Sequence, residues 1–402
     1  MKILHTSDWH LGKKLLSKDR LEEQKVVMNE IVSIANNEEV DMVIVAGDLF
    51  DNYSPSSQAQ HLLYSTLHEL SNNGSRPVVC IAGNHDSPER VESPEALADV
   101  QGIYLLGSPY SKVGEYTTAG NVSVIKSEEG FMELMLPKVE YPVRVLFTPF
   151  ANHERLKKFL GVEDQDIQLR NELESRWRYL AEKYCDDKGV NLLTTHLFVT
   201  KGADDPMAEP DDENSINVGG ASAVYVENFP PQVQYVALGH LHRCFKVGGG
   251  RVWYSGSPLE YSFAESEQDK YVLISDIEPG GEAVTRKVEL KGGCKLVNKV
   301  FDNVTDACCW LKNNPDVWVY LTIKSDTYLT PNEIAMINHS HDRIVTLRPE
   351  ILGIDEEESV QHKISDLIHD TDALFVNYFK KQKGGQEPNE DIMKLFHEIL
   401  AK

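Results

Sequence analysis

Five short motifs in the first 242 residues combine carboxylate, amide and imidazole side chains. In chain order they are Asp8-Trp9-His10, Gly47-Asp48, Gly83-Asn84-His85-Asp86, the single His196, and Gly239-His240-Leu241-His242. The candidate metal ligands that they contain are Asp8, His10, Asp48, Asn84, His196, His240 and His242. About seven oxygen and nitrogen ligands are what two adjacent divalent cations need, and a pair of such cations is suited to cleaving phosphate esters.

The types and spacing of these residues favour particular metals. Asp8 and His10 are separated by one residue, so in an extended segment their side chains point to the same side and can reach one ion. Asp48 follows an apolar run and a glycine, where a carboxylate can bridge two cations with its two oxygens. Two carboxylates, one amide and four imidazoles suit manganese, iron or zinc better than magnesium or calcium, which prefer oxygen ligands.

The elements that must position these motifs indicate an α/β fold. Apolar runs rich in β-branched residues at 42–46 and 78–82 predict buried strands, and apolar residues recur at helical spacing between them, over 59–70. Further strands are predicted at 143–147, 191–195 and 234–238. The motifs follow strands, and α/β proteins place ligands in the loops at the carboxyl ends of their strands.

The pattern along the chain divides it into four parts. Residues 1–278 contain every motif, and residues 279–349 alternate strand and helix patterns that predict a small α/β capping domain. The acidic stretch within residues 350–371 predicts a linker. Residues 372–402 are predicted to form two amphipathic helices, which we expect to pack on another chain because the linker separates them from the rest.

Composition limits the class of protein. The chain has 402 residues, 41% of them apolar, which suits a globular protein of two or three domains. Its six cysteines lack paired-ligand spacing, and no run approaches the roughly 18 apolar residues of a membrane span, so we expect a cytoplasmic protein with no membrane contact. The net charge of −23 weakens the prediction of nucleic-acid binding but does not exclude it, because acidic residues crowd into 204–213 and 355–358.

The five motifs resemble those of the calcineurin-like metallophosphoesterase superfamily, whose fold is a β-sandwich flanked by helices. Within it, residues 3–12, 46–51, 237–243 and 254–258 are similar to segments of the double-strand-break-repair nuclease family, and in particular of its bacterial branch. The resemblance continues through the predicted capping domain to the tail. It is weakest around 100–140 and 200–215.

The resemblance implies a role for each motif residue. One metal ion would bind Asp8, His10, Asp48 and His242, and a second would bind Asp48, Asn84, His196 and His240, so that Asp48 bridges the two. His85 would stabilise the transition state and help to protonate the leaving oxygen, with Asp86 orienting it. Asp51 stands where archaeal and eukaryotic relatives carry a second catalytic histidine, which leaves open how the leaving strand is positioned.

The motifs alone suit several phosphate esters, including phosphoproteins, cyclic nucleotides and nucleotide pyrophosphates. Long insertions between the motifs and the predicted capping domain leave room for an extended substrate such as DNA. Four basic residues directly after the first candidate ligands could contact a phosphate backbone, although a solvated start of a helix explains them equally well: Lys13, Lys14, Lys18 and Arg20.

The resemblance therefore implies a manganese-dependent DNA nuclease subunit, with 3′-to-5′ double-strand exonuclease activity and structure-specific endonuclease activity at hairpins and ends. It also implies a homodimer and an ATPase partner with a coiled coil, whose base the terminal helices at 372–402 would grip. The sequence contains no Walker motif, so ATP would act through that partner. Two alternatives stay open: a DNA-end-binding structural subunit with weak catalysis, and a small-molecule or phosphoprotein phosphatase.

Overall fold

The structure is a computed structural model that describes residues 1–152, 155–156, 165–205, 224–325, 327 and 329–351. It also describes seven residues of the tail: Phe375, Val376, Phe379, Pro388, Ile392, Met393 and Phe396. Within these residues, no helix is both long enough and apolar enough to cross a membrane. The cysteines Cys80, Cys185, Cys244, Cys294, Cys308 and Cys309 are free thiols.

Two sheets form the larger part of the described chain. Its strands are β1 (Lys2–Thr6), β2 (Met42–Ala46), β3 (Val78–Ile81), β4 (Ile103–Leu106), β5 (Ser123–Glu128), β6 (Phe131–Met135), β7 (Val143–Thr148), β8 (Val190–His196), β9 (Val199–Thr200), β10 (Val224–Tyr225), β11 (Tyr235–Gly239), β12 (Phe245–Val247), β13 (Val252–Tyr254), β14 (Tyr271–Asp276) and β15 (Val284–Glu289). One sheet has the order β15-β14-β1-β2-β3-β4, and the other has the order β12-β13-β11-β8-β7-β6-β5, while β9 and β10 pair with each other in a separate two-stranded sheet.

The helices cover the outer faces of these sheets. They are α1 (Leu21–Asn37), α2 (Ser57–Leu70), the short α3 (Pro88–Glu92) and α4 (Glu95–Asp99), and α5 (Gln165–Tyr184). The apolar faces of α1 and α2 pack on the first sheet, and α5 packs on the second. A third apolar cluster, with Ile44 and Val79 from the first sheet and Val145 and Leu192 from the second, fills the space between the sheets. The prediction of a β-sandwich flanked by helices is confirmed.

The centre of each sheet is parallel, as the β-branched runs predict. Strand β2 pairs in parallel with β1 and β3, and β8 pairs in parallel with β7 and β11. The carboxyl ends of neighbouring parallel strands lie at one edge of a sheet, so the loops that follow β1, β2, β3, β8 and β11 are brought together.

A smaller sheet follows the sandwich. Its strands β16 (Leu296–Phe301), β17 (Trp318–Ser325) and β18 (Ile344–Ile351) are parallel, and they alternate with the helices α6 (Val304–Asn313) and α7 (Pro331–Ser340). The order of strand and helix is the predicted one, but the boundary at residue 279 needs correction. Strand β15 pairs along its length with β14 in the first sheet, so the change from one sheet to the next lies between Glu289 and Leu296.

The predicted linker, at 350–371, lies almost wholly outside the described residues. In the tail, Phe375, Val376 and Phe379 are helical, as are Ile392, Met393 and Phe396. The rings of Phe375 and Phe396 stack with their centroids 4.0 Å apart and their planes 9° from parallel. This contact joins the two predicted terminal segments.

Candidate metal centre

The carboxyl ends of five parallel strands bring all seven candidate ligands into one buried cluster. Asp8 and His10 follow β1, Asp48 follows β2 and Asn84 follows β3. His196 is the last residue of β8, while His240 and His242 directly follow β11. Each of these side chains is at least nine-tenths buried. The cluster therefore lies where the two sheets meet, with ligands from both.

Unusual backbone conformations direct these side chains inwards. The φ angles of Asp8, Asp48 and His240 are 54°, 49° and 104°, in the left-handed region that non-glycine residues seldom adopt. Such strain is concentrated at functional sites, where the surrounding structure holds it in place. Close approach also requires glycine: a Cβ at Gly83 would lie 2.0 Å from Asp48 Oδ1.

The first group of ligand atoms belongs to Asp8, His10 and His242, and its members lie within 4.8 Å of one another. The Nε2 atoms of His10 and His242 face each other across 3.1 Å. Asp8 Oδ1 accepts a hydrogen bond of 2.9 Å from the backbone N–H of His240, and Asp8 Oδ2 accepts one from the hydroxyl of Ser7. These bonds hold the carboxylate in one orientation.

The second group centres on Asn84, His196 and His240. Asn84 Oδ1 lies 2.9 Å from His196 Nε2 and 3.2 Å from His240 Nδ1. The other ring nitrogen of His196, Nδ1, lies 2.8 Å from the backbone oxygen of Ala46, so it donates its proton there and leaves the Nε2 lone pair to act as a ligand. Asp8, Asp48 and His196 also form a group of candidate ligands.

Asp48 lies between the two groups. Its Oδ2 is 3.4 Å from His10 Nε2 and also 3.4 Å from His196 Nε2. Its other oxygen, Oδ1, accepts a hydrogen bond of 2.9 Å from the backbone N–H of His85. The same carboxylate thus contacts a histidine of each group, as a bridging ligand must.

Burial and charge set the ionisation of the cluster. Burial would raise the pKa of the Asp48 carboxyl, but the neighbouring imidazoles, first among them that of His196, hold this pKa well below its usual range. Burial would lower the pKa of His196, but Asp48 raises it to about 9, so a metal ion that binds at Nε2 must displace a proton from that atom. Burial lowers the pKa of His10 well below its usual value, which favours the neutral imidazole that binds metals.

The donor set fits two divalent cations. Imidazole nitrogens and carboxylate oxygens point at common centres, and two facing Nε2 atoms, as in His10 and His242, are the arrangement that ligands of one ion adopt. A mixture of nitrogen and oxygen donors suits manganese, iron or zinc. The residues therefore fit the metal ions that the sequence predicts.

His85 lies beside this cluster, half-buried. Its Nδ1 lies 2.8 Å from the backbone oxygen of Asp51, and its ring meets that of His10 edge to face with centroids 4.9 Å apart. Because Nδ1 donates to that oxygen, Nε2 is the atom that can exchange a proton with a substrate. The side chains of His10, Asp51 and His85 also come within 4.8 Å of one another.

The orienting role expected of Asp86 needs correction. Its carboxylate accepts hydrogen bonds from the backbone N–H groups of Leu49, Phe50 and Gly83, at 3.0, 3.0 and 2.9 Å. Burial and the charge of Asp48 raise the pKa of Asp86. The three hydrogen bonds lower it, and the net result is a pKa of about 6. Asp86 thus joins the loop after β2 to the loop after β3, and in the described contacts it is Asp51, not Asp86, that holds the His85 ring.

The four basic residues separate into two kinds. Lys14 is exposed and Lys18 half-exposed, while Lys13 forms an ion pair of 3.4 Å with Asp51 and retains 23% of its side-chain exposure. Arg20 is different, because it is only 2% exposed and its guanidinium donates to Glu23 and to the backbone oxygen of Glu260. The prediction that Arg20 binds the substrate is therefore corrected: its side chain supports the fold.

Two features near the cluster have no counterpart among the sequence motifs. Glu265 Oε1 lies 3.1 Å from His242 Nδ1, and Lys270 forms an ion pair with the same carboxylate. Arg155 donates 2.8 Å hydrogen bonds to the backbone oxygens of Gly83 and Asp86, on the loop that carries Asn84. The side-chain types of these residues do not distinguish them from other charged residues, so the sequence gives no signal for them.

Comparison with known proteins agrees with this geometry. A family model of the calcineurin-like phosphoesterases matches residues 1–244. The chain is 34% identical over 407 residues to the SbcD subunit of the nuclease SbcCD from Bacillus subtilis, covering 100% of this chain and 98% of that protein. It is 32% identical over 298 residues to the protein of the same name from Rhodobacter capsulatus, covering 72% of this chain and 69% of that protein.

The fold and the cluster at its strand ends thus define a calcineurin-like metallophosphoesterase. Within that class, the match over the full length assigns the chain further. It belongs to the SbcD family of nuclease subunits.

Proposed function

We propose that this chain is the nuclease subunit of an SbcCD-type complex and hydrolyses DNA phosphodiester bonds with two divalent metal ions, manganese in preference to others. Its activities would be 3′-to-5′ exonuclease cleavage of double strands and structure-specific endonuclease cleavage at hairpins and ends. The names of the relatives in Bacillus subtilis and Rhodobacter capsulatus support the nuclease role. The finer specificity rests on the resemblance of the motifs.

The position of Asp48 is the single observation that carries the proposal. Its Oδ2 lies at the same distance, 3.4 Å, from one histidine of each ligand group. When bound, two metal ions supply Lewis-acid activation of water and neutralise the charge that grows on the phosphoryl oxygens. We assign Asp8, His10, Asp48 and His242 to one ion, and Asp48, Asn84, His196 and His240 to the other.

The protein itself contributes geometry and proton transfer. His85, with Nδ1 held by the backbone oxygen of Asp51, presents Nε2 to the leaving oxygen and can protonate it. Lys13, Lys14 and Lys18 lie on the segment after the first ligands, where their charges can attract the DNA backbone. Asp86 and Arg155 hold the loop that carries Asn84 and His85.

The proposal includes partners. We assign to the chain an SbcC-type ATPase with a coiled coil, which the residues at 372–402 would contact, and a second copy of the chain in a homodimer. The ring of Phe375 contacts those of Phe379 and Phe396, so the two terminal segments share an apolar cluster on which the base of a coiled coil would pack. Deletion of residues 360–402 should abolish binding to the ATPase while leaving the metal-dependent cleavage activity in place.

A cleavage assay tests the catalytic proposal. The purified chain is incubated with manganese and an end-labelled DNA duplex, beside the variants His242→Ala, His85→Ala and His61→Ala, the last replacing an exposed histidine on α2 as the control. We expect shortening of the duplex by the wild type and by the control. His242→Ala should lose cleavage, and chelation of the manganese should abolish it in all proteins.

The same assay distinguishes the alternative functions. In His85→Ala, cleavage should fall by roughly 10²–10⁴-fold while DNA binding, followed by fluorescence anisotropy, stays within a factor of two. Equal loss of binding and cleavage would contradict the role of His85. Binding without cleavage in the wild type would favour an end-binding structural role, and faster turnover of a chromogenic phosphomonoester than of DNA would favour a small-molecule phosphatase.

A further inference from the structure

A buried carboxylate lies behind one of the proposed metal ligands. Glu265, in the segment between β13 and β14, is 4% exposed, and its Oε1 lies 3.1 Å from His242 Nδ1. The same oxygen accepts a hydrogen bond of 3.1 Å from the backbone N–H of Tyr261. His242 directs its other ring nitrogen, Nε2, towards His10 in the first ligand group. Glu265 therefore contacts the side of the imidazole opposite to the ligand group.

A buried lysine fixes this carboxylate. Lys270 is 8% exposed, and its Nζ lies 2.5 Å from Glu265 Oε2. Lys270 also donates to the backbone oxygen of His242 at 3.0 Å and to the hydroxyl of Ser257 at 2.9 Å. The ring and the backbone of His242 are thus held by the two members of one ion pair.

Burying the Glu265–Lys270 ion pair is not explained by a gain in folding stability. Removing a carboxylate and an ammonium group from water is unfavourable, and a buried ion pair seldom adds net stability over apolar residues of similar size. Both members of the pair contact His242, which indicates that the pair positions this ligand. An ionised carboxylate can only accept hydrogen bonds, so His242 Nδ1 must carry the proton and Nε2 must offer its lone pair.

The support of His242 differs from that of His196 in the second ligand group. His196 Nδ1 lies 2.8 Å from the backbone oxygen of Ala46, a neutral acceptor. Both arrangements select the tautomer with Nε2 as the ligand, but a carboxylate also raises the basicity of the imidazole and strengthens its bond to a cation. The two ligand groups are therefore supported by groups of different charge.

We propose that Glu265, held by Lys270, is a positioning residue that raises the affinity of the metal site formed by Asp8, His10 and His242. The proposal rests on the two-metal function proposed above. It predicts two sites of unequal affinity, of which only one depends on Glu265.

Metal binding to the full-length chain tests this inference directly. Titration calorimetry with manganese chloride compares the wild type with Glu265→Gln, which keeps the size of the side chain but removes its charge. Glu267→Gln is the matched control, because Glu267 is an exposed neighbour in the same segment. We expect two binding events in the wild type and in the control. In Glu265→Gln, the affinity of one event should be roughly 10–100-fold weaker, and the affinity of the other should be unchanged within twofold.

A second readout separates positioning from general damage. Nuclease activity of Glu265→Gln should require roughly 10–100-fold more manganese for half-activation, yet its kcat at saturating manganese should approach that of the wild type. Lys270→Gln should weaken the same binding event by a smaller factor, since the carboxylate remains. Weakening of both events together, or a kcat that manganese does not restore, would mean a merely structural role and overturn the inference.

Two results separate the inference from the function on which it rests. A wild-type chain that binds no manganese contradicts the two-metal proposal itself. Two binding events that are equal in the wild type and Glu265→Gln contradict the inference alone. If Glu265→Gln does not fold, nitrogen-15 spectra of the histidine-labelled wild type test the inference instead. The signals of His242 are identified by comparison with His242→Ala. A proton on Nδ1 supports the inference, and a proton on Nε2 overturns it.

Discussion

Two buried histidines near the start of the chain, His5 and His10, have different partners. His5 Nδ1 lies 2.9 Å from the hydroxyl of Tyr235, and its Nε2 lies 3.1 Å from the backbone oxygen of Leu238. Both ring nitrogens are therefore used within the sandwich, and His5 stays outside the ligand cluster, as its place within β1 predicts. His10 instead directs Nε2 towards His242 and Asp48.

His5 should make the stability of the protein depend on pH. Burial lowers the pKa of His5 to about 3, from 6.5 in the unfolded chain. Since the unfolded chain takes up the proton first, the stabilisation is complete above pH 6.5 and is lost as the pH falls towards 3. Between pH 7 and pH 5 this loss is about 2 kcal/mol of unfolding free energy. Urea unfolding of the wild type and of His5→Gln in the same buffers measures this loss. The unfolding free energy of the variant should change with pH by about 2 kcal/mol less than that of the wild type, and an equal change in the two proteins would contradict the role of His5.

Lys13 should contribute to DNA binding through charge. Its Nζ lies 3.4 Å from Asp51 and 5.7 Å from the centre of the Tyr261 ring, so it is held beside the cluster. In Lys13→Gln we expect weaker binding to all DNA sequences. The slope of log Kd against the logarithm of the salt concentration should fall by roughly 0.9, the value for one lost phosphate contact. Anisotropy titrations at several salt concentrations measure this slope. Lys25→Gln, an exposed change on α1, is the control, and the same slope in both variants would argue against a contact by Lys13.

At the scale of elements, sharp turns at the ends of strands place the ligands. The turn after β2 passes through Gly47, with φ of 95°, and into Asp48. The backbone oxygen of Gly47 accepts a hydrogen bond of 2.9 Å from Asp8 N–H, and that of Asp48 accepts one of 2.9 Å from His10 N–H. The loops after β1 and β2 thus continue the pairing of their strands into the ligand cluster.

Gly47→Ala should disturb both stability and metal binding. An added Cβ would lie 2.1 Å from His196 Nδ1, and the left-handed φ is strained for alanine. We expect a loss of at least about 2 kcal/mol in unfolding free energy and weaker manganese binding, because His196 must move. Denaturant unfolding and calorimetry measure the two effects. The control Gly249→Ala adds a Cβ with no neighbour within 4 Å, and similar behaviour of both variants would contradict the steric explanation.

At the scale of the whole molecule, Glu23 on α1 connects the sandwich to the smaller sheet. It accepts hydrogen bonds from Arg20, from the backbone N–H of Cys294 and from the indole N–H of Trp318 on β17. Further contact comes from Phe263, whose ring meets that of Tyr320 edge to face at 5.6 Å. The smaller sheet is therefore attached to the segment that also follows the first metal ligands.

Loss of the Glu23 charge should destabilise this attachment. In Glu23→Gln the buried Arg20 loses its counter-charge, and the amide places N–H groups against other donors. We expect a loss of about 3–5 kcal/mol in unfolding free energy, with earlier proteolytic cleavage between Glu289 and Leu296. Denaturant unfolding and limited proteolysis follow these changes. Glu22→Gln, an exposed change on the same helix, should be neutral, and equal effects of the two changes would contradict the role of Glu23.

The amino-acid sequence alone determined the fold class, the main strands and the set of candidate ligands. Strand and helix periodicity are local patterns, and each motif lies within a few residues of a strand end, so short windows were sufficient. The tertiary structure alone decided the partners of these residues. His10 and His242 meet although they are 232 positions apart, Arg20 is buried by Glu23 and Glu260, and β15 joins the first sheet. Such contacts depend on how distant elements pack, which no local pattern encodes.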